Sequence, residues 1–153
     1  MPVVVSAFLI GIIAGLRAMM APTMISWAAC CGWLNLEGTS LSFFSSAITR
    51  WLFSVAAIGE LVNDKLPKTP SRKVPPQFIA RVVTGGLSGA AIGAARQSLV
   101  LGLIAGAIGA VAGTPGGAEF RGWLSRTIGK PLPAALIEDA VAIFGGLLIV
   151  SHL

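Results

Sequence analysis

Five apolar blocks recur along the chain: Val3 to Met20, Ser42 to Asp64, Gln77 to Ala95, Ser98 to Gly113 and Pro133 to Leu153. Each predicts a helix, and several sit near the lower length limit for crossing about 30 Å of hydrocarbon. Short helices of this kind fit segments that stop inside a membrane. Between the first two blocks lies Thr23 to Leu34, and between the last two lies Ala118 to Ile128. Both are too polar or too short to cross. Each reads as a half-helix returning to the surface or a helix lying in the interface, with Trp27, Trp33 and Trp123 as anchors. The predicted fold is all-α: a polytopic membrane protein with about five transmembrane helices, forming a single integral domain over residues 1–153.

Two of the blocks end alike. Gly11-Ile-Ile-Ala-Gly15-Leu-Arg17 runs to Pro22 and then Ser26-Trp27. Gly102-Leu-Ile-Ala-Gly106 runs to Thr114-Pro115-Gly116-Gly117 and then Arg121-Gly122-Trp123. A repeated GxIAG unit leading into a proline predicts two interrupted helices related as an inverted-topology repeat, a pattern that marks binding sites in small transporters. The repeats span about 3–64 and 98–153, and 77–95 is the connecting helix.

Composition agrees with the blocks. Hydrophobic residues make up 55% of the chain, charged residues only 11%, and mean hydropathy is +0.85, more apolar surface than one soluble core of this size hides. The net charge of +5 would point to nucleic acid in a soluble protein; here the basic residues cluster between spans and set orientation instead. No positive region precedes the first apolar run, which is read as an uncleaved span. The basic, Pro-rich stretch Lys65 to Pro76 predicts a stiff cytoplasmic loop, and five spans place Arg121, Arg126 and Lys130 on the same face. The N-terminus is then expected in the cytoplasm and the C-terminus outside.

Glycines recur every fourth residue at Gly11 and Gly15, at Gly85, Gly89 and Gly93, and at Gly102, Gly106, Gly109 and Gly113 (the middle pair offset by three). Such faces let backbones approach in lipid, and they are expected to close the protomer or to join copies into a homo-oligomer. Charges inside apolar blocks carry more functional weight, because each costs roughly 2.5 to 3.5 kcal/mol at mid-membrane. Arg17 lies five residues before Pro22, where a guanidinium and the free N–H groups of a new half-helix would converge on an anion; Thr114, Pro115, Gly116 and Gly117 offer the same arrangement with Thr114 as N-cap. The competing reading has Arg17 snorkelling to the outer interface or pairing with Glu37. Glu60 and Asp64, one turn apart, form with Glu138, Asp139 and Arg81 a separate acidic layer that couples or gates, as a cation site or proton relay, or else clamps three helices together.

Other chemistry is thin. Cys30 and Cys31 are adjacent and His152 is the single histidine, which suits neither a disulfide nor a zinc site, and GxSxG, HExxH and P-loop motifs are missing. Neither an enzyme, a metal nor a cofactor is expected. The partners expected are the lipid bilayer and a small anionic solute or lipid head group.

The stretches Gly15-Leu-Arg17-Ala-Met-Met-Ala-Pro22 and Gly59-Glu60-Leu-Val-Asn-Asp64-Lys65-Leu-Pro67-Lys68-Thr-Pro70-Ser-Arg72 resemble a family of small bacterial integral-membrane proteins grouped as domain of unknown function 4126. The resemblance covers nearly the whole chain and implies a bacterial cytoplasmic-membrane location and little else. The sequence therefore predicts a transporter or channel-like protein binding an anionic or amphiphilic solute. The alternatives are a non-transporting assembly subunit and a protein handling phospholipid or polyprenyl phosphate.

Overall fold

The computed structural model describes residues 2–63, 75–129 and 131–152, and the regular elements among them are helical. They are α1 (Val3–Leu16), α2 (Met20–Cys30), a 3₁₀ turn at Ser42–Ser45, α3 (Ala47–Asn63), α4 (Pro75–Ala95), α5 (Leu99–Ile128) and α6 (Pro131–Ser151). Among the described residues three helical stretches are long and apolar enough to cross a membrane: Gln77–Ala95, Leu99–Ile128 and Pro133–Ser151. The chain is thus a helical membrane protein, as its composition requires.

The glycines are used inside the protomer. A Cβ on Gly15 would stand 2.6 Å from the Gly113 carbonyl carbon, and Gly11 meets the Gly106 carbonyl more closely still. On the adjoining face of α5, where α4 also meets α1 through Gly85 and Ala14, Gly89 packs on Gly102 and Gly106, and Gly93 on Ser98 and Gly102. Three backbones therefore pack as α1–α5–α4, contact replacing the hydrophobic drive that lipid removes. The homo-oligomer expected through these faces loses its basis, since the faces are already occupied.

The same contacts fix direction. Along α1 and α5 the partners advance together, Gly11 with Gly106 and Gly15 with Gly113, so the two GxIAG helices run parallel. An inverted-topology repeat requires them to be antiparallel. This overturns the expected inversion. α4 and α5 are antiparallel, joined by a tight turn in which Gln97 takes a left-handed φ of 58° and the Ser98 N–H donates to Gly93 O at 2.7 Å.

The second interruption is also corrected. α5 runs unbroken through Pro115, so Ala118 to Ile128 is its continuation rather than a separate half-helix. Proline removes the donor that the Val111 carbonyl would receive. The loss is local, and α1 holds the preceding turn in place through Gly113, whose Cβ position faces Ile12. The Thr114 hydroxyl donates back to Ala110 O at 2.8 Å instead of capping a new helix. α5 ends at Gly129, left-handed at φ 83°, whose N–H donates to Ser125 O, a common helix stop.

The first interruption is real, and it is a reversal. Arg17 leaves the helix in an extended conformation, and α2 starts at Met20. Pro22 occupies the third position of α2, where the missing N–H has no helical partner to lose. Gly145 faces Ile13 and its neighbour Gly146 faces Met24, so α2 returns beside α1. α3 then runs antiparallel to α2: the Ala18 and Met19 N–H groups meet Glu60 near the end of α3, the Thr23 hydroxyl donates to Phe53 O at 2.9 Å, and Trp27 lies under Arg50 near the start of α3. The start of α1, the α4–α5 turn and the end of α6 consequently share one end of the bundle. The α1–α2 break, the end of α3 and the start of α4 lie toward the other. The sequence had placed the N-terminus on the same face as the basic loop, counting two spans between them; the extra reversal at Arg17 makes it three helices. Asp64, Lys65 to Val74, Lys130 and Leu153 lie outside the described residues.

Candidate functional site at the α1–α2 break

A helix break leaves carbonyls without donors at one end and N–H groups without acceptors at the other. Both are answered by side chains from distant helices. Arg81 of α4 donates from Nη1 to Gly15 O at 2.8 Å, placing a cation at the C-terminus of α1. Glu60 of α3 accepts from the Ala18 N–H and the Met19 N–H, both at 2.8 Å, placing a carboxylate at the N-terminus of α2. Arg81 Nη2 and Glu60 Oε1 are 3.8 Å apart.

Arg17 projects from the break into α6. Its Nε donates to Asp139 Oδ1 at 2.8 Å, its Nη2 also meets that oxygen, and Glu138 Oε2 lies 3.9 Å from Nη2. Arg121 of α5 approaches Glu138 from the other side, Nε to Oε2 3.8 Å. Arg17 is 1% exposed and Glu138 0%. The described layer holds three guanidiniums (Arg17, Arg81, Arg121) and three carboxylates (Glu60, Glu138, Asp139), so its formal charge cancels. Burying such groups is tolerable only when each has partners, and removing one partner from a buried pair costs about 3 to 5 kcal/mol.

The sequence reading put Arg17 and the acidic layer at different sites on opposite faces. They are one site. Arg17 pairs with Asp139 and Glu138 in α6 rather than with Glu37 or with the outer interface, and the N–H groups just ahead of α2 hold the protein's own Glu60. Thr114 is fully buried one helix away, whereas Pro115 and Gly116 are exposed on the outer side of α5 and Gly117 is buried. No second anion-binding helix start forms there, because the helix does not restart.

Arg121 is the member that sequence reasoning used only for topology. Its signal was present: Gly113, Gly117 and Arg121 are spaced four apart and continue one face of α5. That face is legible only if the helix is read through Pro115. Among the described residues no group of three or more His, Cys, Asp and Glu is arranged to hold a metal.

At the far end, Arg50 stacks over Trp27 at 4.9 Å and Trp51 at 5.8 Å, and the two indoles meet edge to face. Trp123 lies toward the other end, on the extension of α5, so tryptophans stand at both ends of the bundle. Comparison of the chain with family models, with curated proteins and with solved structures finds no match in any of the three.

Proposed function

We propose that this is a small multi-pass membrane protein of transporter or channel-like type that binds a small anionic solute at Arg17. The observation that carries the reading is a guanidinium held in the bundle interior, at a helix break, by carboxylates on a different helix. An arginine set there by Asp139 and Glu138 is already arranged to grip a carboxylate-like anion. The solute takes the place of Asp139 on Arg17, and Arg121, with 24% of its side chain exposed, meets it first. Glu60 and Arg81 hold the break open while that exchange occurs. The chain carries its activity without enzymatic chemistry.

The helix directions support four full crossings, α3 to α6, with α1–α2 as a hairpin entering from the opposite face, in place of five crossings. Arg121 and Arg126 lie toward the end of the break, where α3 ends and α4 begins, and the sequence between those two helices is the most basic of the chain; Arg50 and Arg96 lie at the other end. The positive-inside rule turns the break end to the cytoplasm and the N-terminus outward. A bacterial cytoplasmic membrane, and kinship with the small bacterial family that Gly59 to Arg72 resembles, belong to the same reading.

The test is flux of small inorganic and carboxylate monoanions into proteoliposomes. Arg17→Ala abolishes flux, and Arg17→Lys, which keeps the charge and loses the planar fork, lowers it roughly tenfold. Wild-type flux in Arg17→Lys overturns the anion-fork reading. The balance of three guanidiniums against three carboxylates among the described residues favours a second reading, a static clamp in a non-transporting assembly subunit. On that reading no anion crosses, and every charge substitution acts on stability alone.

A further inference from the structure

We propose that the groove between α1, α5 and α6 binds one acyl chain of an anionic phospholipid whose head group is read by Arg121. The groove has a volume of about 300 Å³ and is lined by Ile12 and Leu16 of α1, Gly113, Gly116 and Phe120 of α5, and Val141 of α6. Its wall is apolar, and the α5 side is flattened by glycines. A Cβ on Gly116 would meet nothing within 4 Å, so this is space left open rather than a backbone seam.

Position along the membrane selects the occupant. α5 has 30 residues and is about 45 Å long, against about 30 Å of hydrocarbon. With its start at one interface, its last turns reach past the other, which puts Phe120 and Arg121 at the head-group boundary and the groove just beneath it. Water does not fill an apolar groove at that depth; a lipid chain does. Arg121 stands one turn beyond Gly117, and Arg126 follows on the same extension; against the one carboxylate there, Glu119, the two arginines leave this end of α5 with a net formal charge of +1. Basic residues at this level attract anionic head groups. The inference does not rest on solute transport, since its ligand is held on the lipid-facing side of α5 and its readout is binding.

The experiment is native mass spectrometry of the detergent-purified protein titrated with phosphatidylglycerol, and separately with phosphatidylcholine of the same chains. One phosphatidylglycerol is retained at a concentration several-fold below that needed for phosphatidylcholine. Gly116→Leu, which fills the groove, lowers retention of both lipids about tenfold, and Arg121→Gln removes the preference between them while chain retention persists. Equal retention of the two lipids by the wild type, or unchanged retention in Gly116→Leu, overturns the proposal. So does displacement of the bound lipid by glycerol phosphate alone, which marks a free-anion site, or a dimer that Gly116→Leu dissociates, which marks a second copy as the occupant.

Discussion

Glu60 and Arg81 stand 3.8 Å apart, and each closes one end of the same helix break. Glu60 accepts the first N–H groups ahead of α2, Arg81 donates to a terminal carbonyl of α1, and their charges oppose the dipoles at both ends. A reversal within the apolar bundle is stable here because two helices far apart in sequence supply what the backbone lacks.

Glu60→Ala leaves two N–H groups without their acceptor and removes a carboxylate from beside Arg81. The expected loss is about 1 to 3 kcal/mol for each unsatisfied buried group, read as a lower thermal midpoint in detergent. Glu60→Gln keeps one acceptor oxygen and falls between Ala and wild type. Equal midpoints for all three would remove Glu60 from the account of the break.

How much of this site was legible in the sequence differs residue by residue. An interruption near Arg17 was legible from the proline that follows the apolar block, but the sequence set it at Pro22, whereas α1 stops at Leu16 and Pro22 lies inside α2. Pro115 announced a break in the same way and does not make one, because α1 braces the turn before it through Gly113 and a single lost hydrogen bond does not undo that packing. The pairing of Arg17 with Asp139 joins positions 122 residues apart and carries no local pattern. The glycine spacing foretold close approach but not the partner, and the partner decides direction: parallel α1 and α5 exclude the inverted repeat.

Replacing Gly106 with Ala places a methyl group against the Gly85 carbonyl oxygen, closer than van der Waals contact permits. The seam must open, at a cost of about 1 to 3 kcal/mol. Gly116→Ala meets no atom and removes a flexible residue from a helix, so it holds or raises the thermal midpoint by up to about 1 kcal/mol. The opposite ranking would place the contact seam elsewhere.

Pro115→Ala restores the N–H that α5 lacks. Because the helix is already continuous, stability is expected to stay level or rise, with circular dichroism unchanged. A loss of helix content would show that the proline supports a bent form.

Glu138→Gln separates clamp from transport. Glu138 is fully buried between Arg17 and Arg121, so neutralising it leaves excess positive charge in the layer, and the loss reaches about 3 to 5 kcal/mol if its role is to clamp. If solute anions compete with it for Arg17, the same substitution yields a folded protein with tighter anion binding, seen as a larger anion-induced rise in thermal midpoint. A destabilised protein with no such rise, in both Glu138→Gln and Asp139→Asn, would leave only the clamp.

Orientation can be read from the protein's own thiols. Cys30 and Cys31 are free and exposed at the end of α2, beside Arg50 and the paired tryptophans, at the end of the bundle away from the break. Gly129 caps α5 at the opposite end. With the basic end in the cytoplasm, a membrane-impermeant maleimide added to intact cells labels the native cysteines. A cysteine placed at Gly129 in a background lacking both is labelled only after the membrane is opened. Labelling of both sites from the same side would mean that α5 does not run the length of the membrane away from the α2 terminus, and the four-crossing arrangement with its returning hairpin would fall with it.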